Sequence, residues 1–231
     1  ESRHFRARKN VLEYDNVMNT QREVIYAQRQ KVLDGEDLRE NMMAMLRGVV
    51  DGAVATALSD NGGVADAAGL SRLAVSLEGI YFARGTLASR ANTLEGKKTE
   101  EVADVVYEIA QHTYEAKEAA YTPAIMRELE RVVMLRVVDE YWMDNIDAMD
   151  DLKQGIGLRA YGQHDPVVAY KEEGFAMFEA MIQAIREETV RRMFLVQIRT
   201  NQEMRNPRSS ISASTRASGN SMSKSSERLF I

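Results

Sequence analysis

No cysteine occurs among the 231 residues. That excludes a disulfide framework and any zinc or iron–sulfur site held by thiolates, and it is compatible with a reducing compartment. Proline occurs three times, at 123, 166 and 207, so long helices meet few covalent obstacles. Aromatic residues make up 7% of the chain, and the β-branched alternation that builds strands is scarce. No apolar run approaches the roughly 18–20 residues that cross a bilayer. The first ten residues, ESRHFRARKN, lack the apolar core of a signal peptide. They also lack a starting methionine, and the chain is expected to be a piece of a longer one. Basic excess is missing too: the net charge is -5, which works against nucleic acid as the main partner.

What remains is 45% apolar and 28% charged, the balance of a folded, all-α chain. Residues 1–35 place Val11, Tyr14, Met18, Ile25 and Val32 on one face of one long helix, ended by Asp34-Gly35. Its seven basic and five acidic side chains read as a solvated surface. Residues 36–121 read as a small helical subdomain. It contains DLRENMMAMLRGVVDGAVATAL, a break at SDNGG, the short helix LSRLAVSLEGIYFARG weakened by glycine, and a helix with Thr99 as its expected N-cap. Residues 122–200 read as two long helices. Thr122-Pro123 starts the first, whose stripe is Leu135, Val138, Trp142, Ile146, Met149, Leu152 and Ile156. Some 32 residues at 1.5 Å each make a rod of roughly 50 Å. Phe175, Phe178, Ile182, Ile185, Met193 and Phe194 mark the second, giving an antiparallel hairpin. Residues 201–231 are serine-rich and read as a disordered tail.

Signs of catalysis are sparse. Neither GxxxxGK[ST] nor GxGxxG occurs. His4, His112 and His164 are scattered, and none belongs to HExxH. The acids at 144, 147, 150, 151, 172 and 173 read as solvated helix faces. Serines cluster where no fixed geometry could activate one. The residues name no catalytic group, cofactor ligand or metal ligand.

The segment GIGLRAYGQHDP at 155–166 is the unusual feature. A connector between antiparallel helices needs only about 2–5 residues. This one carries Leu158, Arg159, Tyr161 and Gln163. Gly155, Gly157 and Gly162 serve as hinges, and Asp165-Pro166 opens the next helix. Two readings stay open on the residues alone: Leu158 and Tyr161 fold back to cap the hairpin, or the tip projects to meet a partner.

Two blocks carry a resemblance: RKNVLEYDNVMNTQREVIYAQR at 8–29, and LRVVDEYWMDNIDAMDDLKQGIGLRAYGQHDPVVAYKEEGFAMFEAMI at 135–182. Both closely resemble the SecA family, the bacterial preprotein translocase motors. The usual reading differs at Asn16, Asn145, Lys153, Gly157 and Ala169. The resemblance implies a helical scaffold domain at 1–35 and 122–200, its second part a two-helix finger. It also implies a helical wing domain at 36–121. It further implies ATP and Mg bound in upstream RecA-like motor domains and none here, so this fragment should be inactive alone. The implied partners are those motor domains, the SecYEG channel and unfolded preprotein, on the cytoplasmic face of the plasma membrane. Tyr161 would touch the moving polypeptide, with Leu158, Arg159 and Gln163 beside it. The cysteine-rich zinc tail of many relatives cannot be carried over. Two rivals remain: a helical adaptor unrelated to ATP, and a nucleic-acid binder helped by the tail. The tail holds five basic and two acidic side chains and could also touch anionic lipid.

Overall fold

The computed structural model describes residues 2–35, 38–159 and 165–197, the side chains of 2–7 and 157–159 excepted. Among them it contains seven α-helices, two 3-10 turns and no strand beyond two isolated bridges. The expected tail, 201–231, lies outside the described residues.

The first helix, α1 (Ser2–Asp34), ends at Gly35, whose φ of 75° few side chains tolerate. Of its expected face, Tyr14 and Ile25 are buried, Met18 and Val32 are half-buried, and Val11 is exposed. Gln21 fills the stripe position between Met18 and Ile25 and is buried with it.

The next four helices form one packed body. In α2 (Leu38–Leu58) the residues Leu38, Met42, Leu46, Val50, Val54 and Leu58 recur every fourth position and are all buried. With its 3-10 extension to Asn61, α2 is long and apolar enough to cross a membrane by length and composition, which corrects the expectation from apolar runs. Here its stripe lies against neighbouring helices instead. The chain turns at Gly62-Gly63, both with positive φ, and a side chain at 63 would also strike the Thr99 hydroxyl.

Asp66 caps α3 (Ala67–Leu77), its carboxylate accepting the Gly69 N–H at 2.7 Å. After α4 (Ala91–Leu94) comes α5 (Thr99–Tyr121). Thr99 is its first helical residue rather than its N-cap, because the Thr99 hydroxyl donates to the Gly63 carbonyl at 2.9 Å. Glu101 accepts the Lys98 N–H in the cap's place.

Pro123 opens α6 (Pro123–Arg159), and Pro166 opens α7 (Pro166–Leu195), which returns antiparallel to it. At 37 residues, α6 is about 55 Å long. Of the expected α6 stripe, Trp142, Met149 and Ile156 are buried and Leu135, Val138, Ile146 and Leu152 are half-buried; Val133, Met134, Val137, Asn145 and even Glu130 are buried as well. On α7, Phe175 is 63% exposed, and Tyr170, Gly174, Met181 and Val190 hold the seam. Ile185 and Met193 of the expected α7 stripe are buried with them.

Candidate functional site

The finger is held as one member of a three-helix stem. Three contacts set the direction of α1 against α6: Asp15 with Lys153, Gln21 with Asn145, and Arg29 with Asp139. As one number rises the other falls by nearly the same amount, so the two helices run antiparallel in register. Arg29 meets Asp139 with both arms of its guanidinium, at 3.0 and 3.1 Å. On α7, Lys171 reaches Glu13 of α1 at 2.7 Å and holds that carboxyl below its usual range.

Towards the tip the stem has its own small core of Tyr14, Met149, Ile156 and Tyr170. The Tyr14 and Tyr170 rings lie 4.5 Å apart, tilted at 54°. Burial, then the nearby Asp150 and Asp15, pushes the Tyr170 hydroxyl up to about 12. Tyr170 therefore stays neutral at physiological pH and acts as a packing group. Gly174 of α7 faces Met149 of α6, and a methyl there would lie 2.8 Å from Met149 Cε.

The expected site residues fall as follows. The helix α6 continues through Gly155 and Gly157 to Arg159, so neither glycine hinges a loop here; intrahelical hydrogen bonding carries past both. The backbone of Leu158 and Arg159 belongs to this last turn, and their side chains are not among the described ones. Tyr161, Gly162 and Gln163 lie outside the described residues. Asp165 and Pro166 act as expected: the Asp165 carboxylate accepts the Val167 N–H at 2.9 Å, and Pro166 is the first helical residue.

Four buried polar groups escaped the sequence reading: Gln21, Asn145, Glu130 and Thr189. The available signal was positional, a polar residue at a seam position three or four steps from apolar neighbours. A groove of about 520 Å³ lies between α2, α3 and α7, with Gly48, Gly52, Tyr81, Tyr141 and Glu187 among its lining.

This architecture defines a helical scaffold: a frame helix laid along a two-helix lever, with a compact wing beside it. Residues 1–197 match the family described as SecA Wing and Scaffold domain, and the chain belongs to that family. It is similar to "Protein translocase subunit SecA 1" of Alkaliphilus metalliredigens, 46% identical over 93% of this chain and 24% of the relative. The subunit SecA of Finegoldia magna is 49% identical over 85% of this chain and 21% of its own length. The SecA 1 of Clostridioides difficile is 44% identical over 87% and 22%. The chain thus spans about a quarter of the length of these relatives.

Proposed function

We propose that this chain is the scaffold and wing of a motor that couples ATP hydrolysis to the movement of preproteins through a SecYEG channel. The relatives are named as protein translocase subunits, and this chain corresponds to about a quarter of each. ATP and Mg would bind in RecA-like domains contributed by the rest of the whole protein, and the fragment alone would turn over no nucleotide. The outer face of α1, with Leu12 and Tyr26 exposed, would seat those domains. Such a protein would work at the cytoplasmic face of the plasma membrane, with unfolded preprotein, the channel and anionic lipid as partners.

The observation that carries this reading is the stem. A hairpin of two helices of 37 and 30 residues is braced along one side by α1. A lever is useful only if its base is fixed, and the α1 contacts fix it. Tyr161 would then meet the moving chain. An aromatic ring gives contact area and a hydroxyl without demanding a particular sequence. Leu158, Arg159 and Gln163 would flank it, and Gly162 would supply the turn.

The test uses the absence of native cysteine in this region. Tyr161→Cys in the intact motor, stripped of other cysteines, should crosslink to a preprotein stalled during transport. Asp150→Cys, on an exposed mid-helix position, should not. Intact transport with no crosslink at 161 would overturn the contact and leave the hairpin only a bracing role.

A further inference from the structure

A seam between long helices is normally apolar without interruption, because an amide buried there must find all its partners inside the protein. Apart from Glu130 of α6 and Thr189 of α7, which are also buried, the stem breaks this pattern with one linked pair of amides. Gln21 of α1 and Asn145 of α6 are each 5% exposed. The Asn145 side-chain N–H donates to Gln21 Oε1 at 3.1 Å, and the Gln21 side-chain N–H donates to the Gly174 carbonyl at 3.0 Å. One amide chain thus joins all three helices. Neither side chain leaves a fully buried atom without a partner. Gly174 contributes its backbone carbonyl as the acceptor, and its Cα faces the thioether tip of Met149.

The apolar residues on either side separate at the same level. Towards the tip lie Tyr14, Met149, Ile156 and Tyr170, a cluster to itself. Towards the wing lie Ile25, Val137, Trp142, Met181 and Ile185, within the main core. Half-buried Met18 is the side chain that touches both. The ion pairs divide likewise, with Lys153–Asp15 and Lys171–Glu13 on the tip side and Arg29–Asp139 on the other.

We propose that the Gln21–Asn145–Gly174 layer positions the finger on α1. It pins a single register among the three helices and divides the stem into two cooperative units, so that the tip-side unit opens while the body stays folded. The register argument is one of satisfaction. Sliding α1 by a turn would set the Asn145 amide against Met18 or Ile25 in place of Gln21 and strand its polar atoms, whereas an all-apolar seam would tolerate the slide. The division follows because cooperative opening spreads through continuous apolar contact, and here that contact thins to one side chain. The layer would act this way whatever the tip touches.

Amide hydrogen exchange on the 231-residue chain tests it. Amides at 149–156 and 170–174 should exchange together, about a hundredfold faster than those at 134–142. Uniform protection along α6 overturns the division. In Q21L/N145L, which makes the seam apolar throughout, the tip-side rates should come within about tenfold of the body. A boundary still at 145–149 in that variant would assign the division to something other than the amide layer and sink the proposal. N145L alone strands the Gln21 amide and should speed tip-side exchange further, with the rates at 134–142 unchanged. Unaltered tip-side rates in N145L would also overturn it. If Q21L/N145L does not fold, the wild-type boundary and N145L decide.

Discussion

The wing and the stem solve the same packing problem with different materials. The wing body, built on α2, is dry: Met42, Leu46, Val50, Val54 and Leu58 are fully buried, and Val102, Val106 and Ala110 of α5 share the same main core. The stem is narrower and more polar, held by interhelical ion pairs, a buried amide layer and a four-residue apolar cluster at its tip side. Yet the stem carries the two segments, 8–29 and 135–182, that resemble the SecA family. The part richest in recognisable sequence is thus the part with the thinner core, and the bland wing supplies the bulk of the burial. A lever needs defined register and surface more than it needs depth.

The largest effect expected from this contrast comes from matched truncations. Leu46→Ala, at the centre of α2, should cost about 3 kcal/mol through lost burial and an unfilled cavity. In a chain of this size that lowers Tm by roughly 6–12 °C. Met149→Ala removes a comparable, fully buried side chain from the tip-side cluster. Its main transition, followed by Trp142 fluorescence, should move by under about 1 kcal/mol, with the loss appearing as faster exchange near the tip. Equal shifts of the main transition for both variants would erase the distinction between wing and stem.

The two regions also differ in how they respond to pH, and α6 shows both responses. Glu130 faces the wing end, fully buried, beside Arg39, Glu118 and Arg127. Burial raises its carboxyl to about 7, with Arg39 opposing. Arg127 lies 3.0 Å away but without hydrogen-bond geometry, so neither Glu130 oxygen has a hydrogen-bond partner. The folded form therefore holds this proton more tightly than the unfolded form. Stability should fall as pH rises from about 4.5 to about 7, by about 2 kcal/mol for a buried charge of this kind. Glu140 faces α7, where Arg192 and then Arg136 hold its carboxyl down at about 2. Its contribution is present above about 4.5 and is lost as pH falls towards 2. Denaturant midpoints across pH should show both limbs. Glu130→Gln should remove the upper limb alone, and an unchanged upper limb would assign it elsewhere.

Much of this organisation was legible in the sequence, and the failures share one cause. Helix punctuation was readable wherever it depends on a residue's own backbone: Gly35 stops α1, Pro123 starts α6, and Asp165-Pro166 starts α7. The reading failed where a neighbour decides. Thr99 gave up its cap because the Gly63 carbonyl lies within reach of its hydroxyl. Phe175 belongs to the seam on hydrophobicity alone, but it is Gly174 beside it that faces Met149 of α6, and Phe175 points outward. Gly155 and Gly157 were read as hinges, yet a helix already 30 residues long absorbs two glycines at about 1 kcal/mol each. Gln21, Asn145 and Glu130 were passed over because polar residues are presumed outside, and nothing local marks the partners that bring the two amides in. Of the candidate site, the flanking helices and the cap at 165 were legible, while Tyr161 and Gln163 lie outside the described residues.

The smallest effects test the closest contacts in each region. An added methyl at Gly69 of α3 would lie 2.7 Å from Leu58 Cδ2, 2.8 Å from the capping Asp66 carboxylate and 3.1 Å from the Ala57 carbonyl. The Leu58 side chain can shift, but the carbonyl belongs to a helix backbone and the carboxylate is tied to the Gly69 N–H. Gly69→Ala should therefore cost about 1–2 kcal/mol despite better helix propensity. At Gly174 the obstruction is the Met149 thioether tip, with Cε at 2.8 Å and Sδ at 3.3 Å, and an unbranched side chain can rotate away. The gain of about 1 kcal/mol in helix propensity then nearly cancels the strain, and Gly174→Ala should change the unfolding free energy by under about 0.5 kcal/mol. Urea denaturation of both variants resolves this difference. A loss at Gly174 as large as that at Gly69 would mean that Met149 cannot move, and that the tip-side cluster is packed as rigidly as the wing.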